Sequence, residues 1–61
     1  MKAGHIPQFK ELLHQAELNA SDGWQMDFVA DMRMKYTNVG DRMYLTEVQL
    51  RKLELLAGMS V

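Results

Sequence analysis

The sequence predicts an all-α protein, a small three-helix bundle formed by a single domain of residues 1–61. Apolar residues recur at helical spacing in three segments, and turn-forming residues separate those segments. No segment alternates apolar and polar residues for long enough to indicate a strand. The chain has 61 residues and no cysteine, so its small core must depend on helical packing or self-association. We place the three helices at residues 7–19, 23–37 and 47–57.

The first predicted helix begins at Pro7, whose fixed φ and missing N–H suit the first helical position. Its apolar residues share one arc of the helix, and charged residues occupy the other side. The members of this arc are Phe9, Leu12, Leu13, Ala16 and Ala20. This pattern predicts an amphipathic helix with one buried face. We expect residues 1–5, ahead of it, to fray.

The second predicted helix begins after a turn, where Asp22 and Gln25 have the spacing of a capping box. Its main apolar stripe, expected in the core, comprises Trp24, Phe28, Val29, Met32 and Tyr36. A second strip comprises Met26, Ala30 and Met34. Two apolar strips predict packing on two sides, as in the middle helix of three. Asn38 or Gly40 is expected to supply a left-handed cap at its end.

The third predicted helix has the strongest start signal in the chain. Thr46 and Gln49 fit a capping box, while Leu45 and Leu50 fit the hydrophobic staple that accompanies it. The helix is expected to stop at Gly58, and residues 59–61 to fray. Its core arc comprises Leu50, Leu53, Leu56 and Ala57.

A second apolar strip on the third helix is the main functional signal. Val48 and Leu55 lie seven residues apart and are flanked by Arg51 and Lys52. Because this helix is terminal, the strip has no obvious partner within the chain, and exposed apolar patches mark interaction sites. Methionines also serve adaptable binding surfaces, although Met26 and Met34 could equally fill the core. The predicted interface, for a protein partner or a second copy, comprises Val48, Leu55, Met26, Met34, Arg51 and Lys52.

Nucleic-acid binding is the alternative prediction. Its candidate contacts are Arg42, Gln49, Arg51 and Lys52. The connection at residues 38–45 is longer than the turn of a helix-turn-helix element, and Glu47 and Glu54 offset the cations. A net charge of −1 and a pI near 6.0 also provide no general attraction to nucleic acid. We therefore favour a protein partner.

The residues offer little catalytic chemistry. His14 and Glu17 share an exposed helix face, as do Asp27 and Asp31, and ordinary solvated surface explains both pairs. The four glycines are dispersed, so no phosphate-binding loop is indicated. We predict that the protein is not an enzyme and holds neither a metal nor a cofactor. No apolar run approaches the roughly 18 residues that span a bilayer, and no secretory signal is apparent, so we expect a cytoplasmic location without membrane contact.

Residues 40–53 read as G-x4-L-[ST]-x-x-Q-x3-L. With the helix containing Phe28 ahead of it, this segment resembles a short helical module found in many small bacteriophage- and prophage-encoded proteins. The likeness covers residues 28–57, with Thr46 and Val48 where that module often has serine and lysine. The resemblance implies a phage or prophage origin and a small helical protein inside a bacterial host cell. Phages also encode many small proteins that bind a host protein, which agrees with the host or phage protein partner expected from the apolar strip. Such modules also accompany replication and recombination functions.

Overall fold

Three α-helices dominate the computed structural model, which describes residues 1–58. They are α1 (Phe9–Asn19), α2 (Gly23–Val39) and α3 (Glu47–Ala57). Two short 3-10 helices, Ala3–His5 and Gly40–Arg42, complete the regular structure. The predicted all-α three-helix fold is confirmed. The expectation for residues 59–61 lies outside the described residues.

The bundle is arranged around α1, which packs against both α3 and α2. The ring centroids of Phe9 and Tyr36 lie 5.2 Å apart, so the start of α1 meets the end of α2. Glu17, near the end of α1, meets Arg33, which comes earlier in α2, so the two helices run in opposite senses. The side chain of Asn19 reaches the carbonyl of Leu56, so α3 runs parallel to α1. The helix shared by both neighbours is therefore α1, and the prediction that α2 is the middle helix is wrong.

The core lies where the three helices meet the connection between α2 and α3. Its largest fully buried side chains are Leu13, Met32, Leu45, Leu53 and Leu56. Every helix and the connection contribute at least one of them. Burial of such aliphatic side chains is the main favourable term in folding, at about 1.5–3 kcal/mol each.

The predicted helix ends are largely reproduced. Gln49 N–H donates to Thr46 Oγ1 at 3.1 Å and Thr46 N–H donates to Gln49 Oε1 at 2.9 Å, which confirms that capping box. Gly40 follows α2 with a φ of +69°, a conformation that favours glycine. Helix α1 starts at Phe9 rather than Pro7, because Gln8 takes a left-handed conformation with a φ of 55°.

The first residues pair with the connection between α2 and α3, so the expectation that residues 1–5 fray is wrong. Ala3 N–H donates to Met43 O at 2.8 Å and Leu45 N–H donates to Met1 O at 2.7 Å. These bonds surround an isolated antiparallel bridge between Lys2 and Tyr44. Ala3 is buried against the core, which anchors the segment.

Trp24 is 51% exposed, which corrects the prediction that it belongs to the core. The buried position in the first turn of α2 belongs to Gln25, one residue further on and therefore about 100° around the helix axis. The Gln25 side chain accepts hydrogen bonds from the N–H groups of Ser21 and Asp22, at 3.0 and 3.4 Å. A polar side chain with those donors is stable inside, and the indole is left at the surface.

Candidate interaction surface

The outer face of α3 carries two apolar side chains that no described residue covers. Val48 is 61% exposed and Leu55 is 62% exposed, whereas Leu53 and Leu56 on the other side are fully buried. We call Val48 and Leu55 the α3 strip. The prediction that this strip faces away from the core is confirmed.

Two cations lie beside the α3 strip. Arg51 and Lys52 are both exposed, and they follow Val48 by three and four residues, which places them on its flanks. Arg51 forms an ion pair with Glu47 at 3.4 Å, one turn earlier on the same helix. Both partners of this pair are largely solvated, so it contributes little stability and leaves the guanidinium able to reorient.

The second strip on α2 is also exposed. Met26 and Met34 are 56% and 60% exposed, and Ala30 between them is exposed as well. Packing of α2 on two sides is therefore wrong, since its buried side chains all lie along one face. Met32, the other methionine of this helix considered as a core filler, is buried there.

The interface predicted from the sequence falls on two helices. Met26 and Met34 belong to α2, and each lies on a part of that helix turned away from its buried residues. Val48 and Leu55 occupy the corresponding part of α3. The structure thus leaves one exposed apolar strip on each of these two helices.

The candidate nucleic-acid contacts come from two elements of the structure. Arg42 lies in the 3-10 helix of the connection, whereas Gln49, Arg51 and Lys52 belong to α3. Gln49 is half-buried and its side-chain oxygen already accepts the N–H of Thr46. The capping box explains Gln49, and Arg51 and Lys52 lie on the solvated surface of α3.

Between α1 and α3 lies a groove of about 320 Å³ that the sequence reading missed. Its apolar lining includes Ile6, Leu12 and Ala57, which are half-buried and packed against the core. Glu11 from α1 and Glu54 from α3 also line it, and both are exposed. We call this the acidic groove. No local signal could reveal it, because its two carboxylates are far apart in sequence.

A second depression, of about 300 Å³, lies beside the first residues and the end of α2. Tyr36 lies at its edge and donates a hydrogen bond from its hydroxyl to Asp41 Oδ1 at 3.0 Å. Burial raises the pKa of Tyr36, and the hydrogen bond to Asp41 raises it further. This contact joins α2 to the following 3-10 helix, so holding these two elements together explains it.

The His14 and Glu17 pair is not arranged as a ligand set. The guanidinium of Arg33 donates from Nε to both carboxylate oxygens of Glu17, at 3.2 and 3.3 Å. Glu17 therefore ties α1 to α2. Among residues 1–58, no three histidine, cysteine or acidic side chains come together as a metal site would require. In the same part of the chain, none of the helices has both the length and the apolar character needed to cross a bilayer.

Comparison with known proteins found no match among protein-family models, curated proteins or solved structures. The resemblance to a phage-encoded module therefore stays a prediction from the motif at residues 40–53. In the structure each fixed position of that motif has a folding role. Gly40 adopts a positive φ, Leu45 and Leu53 are fully buried, and Thr46 and Gln49 form the capping box.

Proposed function

We propose that this chain is a small helical interaction protein that binds another protein through the α3 strip. The observation that carries the proposal is the exposure of Val48 and Leu55 on a well-capped helix. Exposed aliphatic side chains on a rigid helix offer apolar area that a partner can bury. Arg51 and Lys52 would form the polar rim of such a contact. The proposed action is binding, without a catalytic step.

The proposed partner is a host or phage protein inside a bacterial cell, or a second copy of the chain. The phage or prophage origin rests on the motif of residues 40–53 alone. The α2 strip of Met26 and Met34 would add a second contact, because methionine side chains adapt to partners of different shape.

A nucleic-acid-associated domain is the alternative proposal, with Arg42, Gln49, Arg51 and Lys52 as contacts. The protein partner is favoured because the side-chain oxygen of Gln49 already accepts the N–H of Thr46. A mobility-shift titration at low salt separates the two proposals, because phosphate contacts strengthen as salt is removed. Binding that disappears in the Arg51→Gln/Lys52→Gln variant would favour nucleic acid.

The test is affinity capture from a bacterial lysate, together with the solution mass of the purified chain. The Val48→Glu/Leu55→Glu variant should lose its complexes, whether with another protein or with itself, while its far-UV circular dichroism stays helical. Retention of every complex by this variant would refute the proposal.

Leu18→Glu/Val39→Glu is the matched control. It replaces two exposed apolar residues with the same charges, one on α1 and one on α2, and leaves α3 unchanged. This control should keep the complexes that the α3 variant loses. Equal loss in both variants would mean that added negative charge, rather than the strip, is responsible.

A further inference from the structure

The acidic groove is a concave surface with carboxylates from two helices. Glu11 and Glu54 line it together with the half-buried apolar residues Ile6, Leu12 and Ala57. None of its lining residues is basic, and neither glutamate forms a salt bridge with any residue in the described range 1–58. Such a groove suits an aliphatic side chain accompanied by a cation.

The α3 strip has that chemistry. Val48 and Leu55 supply exposed aliphatic side chains, and Arg51 and Lys52 lie between them along the helix. Lys52 forms no salt bridge with residues 1–58, and Arg51 is held only by its exposed pair with Glu47. The protein therefore displays, on one molecule, an acidic apolar groove and an apolar strip that carries two cations.

These two surfaces lie on different sides of the same molecule. Glu54 and Leu55 are consecutive residues of α3, so their side chains point about 100° apart around its axis. The groove side of α3 faces α1, whereas the strip faces outward. A chain cannot place its own strip in its own groove, but it can place the strip in the groove of another copy.

We infer that the acidic groove receives the α3 strip of a second copy, so that the protein self-associates head to tail. This inference rests on the proposed function of the α3 strip and names its partner. Leu55 of one copy enters the groove of the next, where Arg51 and Lys52 meet Glu11 and Glu54. Two different surfaces meet in this contact, so each added copy leaves a groove and a strip free for further growth. The net charge of −1 offers little repulsion between copies.

Charge exchange tests the inference. Sedimentation of the wild-type chain should show a mass that rises with concentration above 7.1 kDa and does not stop at a dimer. Glu11→Lys/Glu54→Lys and Arg51→Glu/Lys52→Glu should each weaken association by roughly tenfold or more, because two attractive pairs become repulsive. The quadruple variant combines both changes, keeps the net charge of −1, and should recover association.

Asp27→Lys/Asp31→Lys is the matched control for the groove variant. It makes the same change of net charge with two exposed residues of α2, and it should associate like the wild-type chain. Circular dichroism of each variant checks that the helices remain.

The remaining outcomes separate this inference from the proposed function. A wild-type chain that stays monomeric, or a groove variant that associates normally, would overturn the head-to-tail contact. So would a quadruple variant that fails to recover while its helices persist. If the Val48→Glu/Leu55→Glu variant still lost a complex with another protein, the proposed function would stand without this inference. If that variant lost nothing, both would fail.

Discussion

The side-chain amide of Asn19, the last residue of α1, donates to the backbone carbonyl of Leu56 near the end of α3, at 2.9 Å. The same nitrogen lies 3.2 Å from the carbonyl oxygen of Ala57. The last carbonyls of a helix have no partner within it, so Asn19 supplies donors to the end of a neighbouring helix. One side chain thus fixes the parallel alignment of α1 and α3 at this end.

Asn19→Asp should destabilise the protein more than Asn19→Ala. Alanine removes the hydrogen bonds, at a cost of about 1 kcal/mol, whereas aspartate also places a negative charge against the negative end of α3. Urea denaturation at neutral pH measures both free energies of unfolding. Asn38→Asp is the control, since Asn38 lies at the exposed end of α2 and carries the same charge change. Equal destabilisation by the two aspartates would show that α3 is not involved.

The ion pair between Glu17 and Arg33 should stabilise the packing of α1 on α2. The carboxylate accepts from two nitrogens of the guanidinium, and the two side chains are 30% and 39% exposed. Partial solvation limits the expected coupling to about 0.5–1 kcal/mol, a value that should fall at high salt. A double-mutant cycle with Glu17→Gln and Arg33→Gln measures it.

The pair of Asp31 and Lys35 provides the comparison for that cycle. Lys35 Nζ lies 3.2 Å from Asp31 Oδ2 within α2, and the side chains of Asp31 and Lys35 are 55% and 50% exposed. Its coupling should be no more than about 0.5 kcal/mol, as for other pairs one helical turn apart. A larger coupling here than between Glu17 and Arg33 would contradict the structural interpretation.

Local signals predicted the helices well because their determinants lie within a few residues of one another. The capping box of Thr46 and Gln49 spans four residues, and its geometry follows from the spacing alone. The contact between Asn19 and Leu56 joins residues 37 positions apart, and helical periodicity carries no information about such pairs. Periodicity identifies the apolar side of a helix, but it does not identify which neighbour covers that side.

The same limit explains the errors at the candidate site. A second apolar strip on α2 indicated a second packing side, yet in the structure the described chain offers nothing to cover Met26 or Met34. The acidic groove escaped detection because Glu11 and Glu54 meet only after α1 and α3 pack. The predicted exposure of Val48 and Leu55 agrees with the structure, in which α3 turns Leu53 and Leu56 toward the core and leaves its other apolar side uncovered by the described residues.

Alkaline pH should destabilise the protein in part through Tyr36. Its pKa is raised in the folded state above the ordinary value of 10.0, because burial and the bond to Asp41 favour the neutral phenol. The resulting stabilisation is present below pH 10.0 and is lost as the pH rises through the higher folded value. The free energy of unfolding of Tyr36→Phe should therefore fall less above pH 10.0 than that of the wild-type chain. Tyr44→Phe is the control: Tyr44 is exposed, and this variant should lose stability as the wild-type chain does.

Substitution of Gly4 tests how closely the first residues approach the connection between α2 and α3. A Cβ at Gly4 would lie 3.0 Å from Asp41 Cβ and 3.2 Å from Asp41 O, a contact that the rigid backbone cannot easily relieve. Gly4→Ala should therefore destabilise the fold by about 1–3 kcal/mol, as overpacking does elsewhere. Gly23→Ala is the matched control, because its Cβ would meet nothing within 4 Å and alanine suits a helix better. In urea denaturation, the free energy of unfolding of Gly4→Ala should be lower than that of the wild-type chain, and that of Gly23→Ala should be equal or higher. An unchanged free energy of unfolding in Gly4→Ala would refute the ordered contact of residues 1–5 with the connection between α2 and α3.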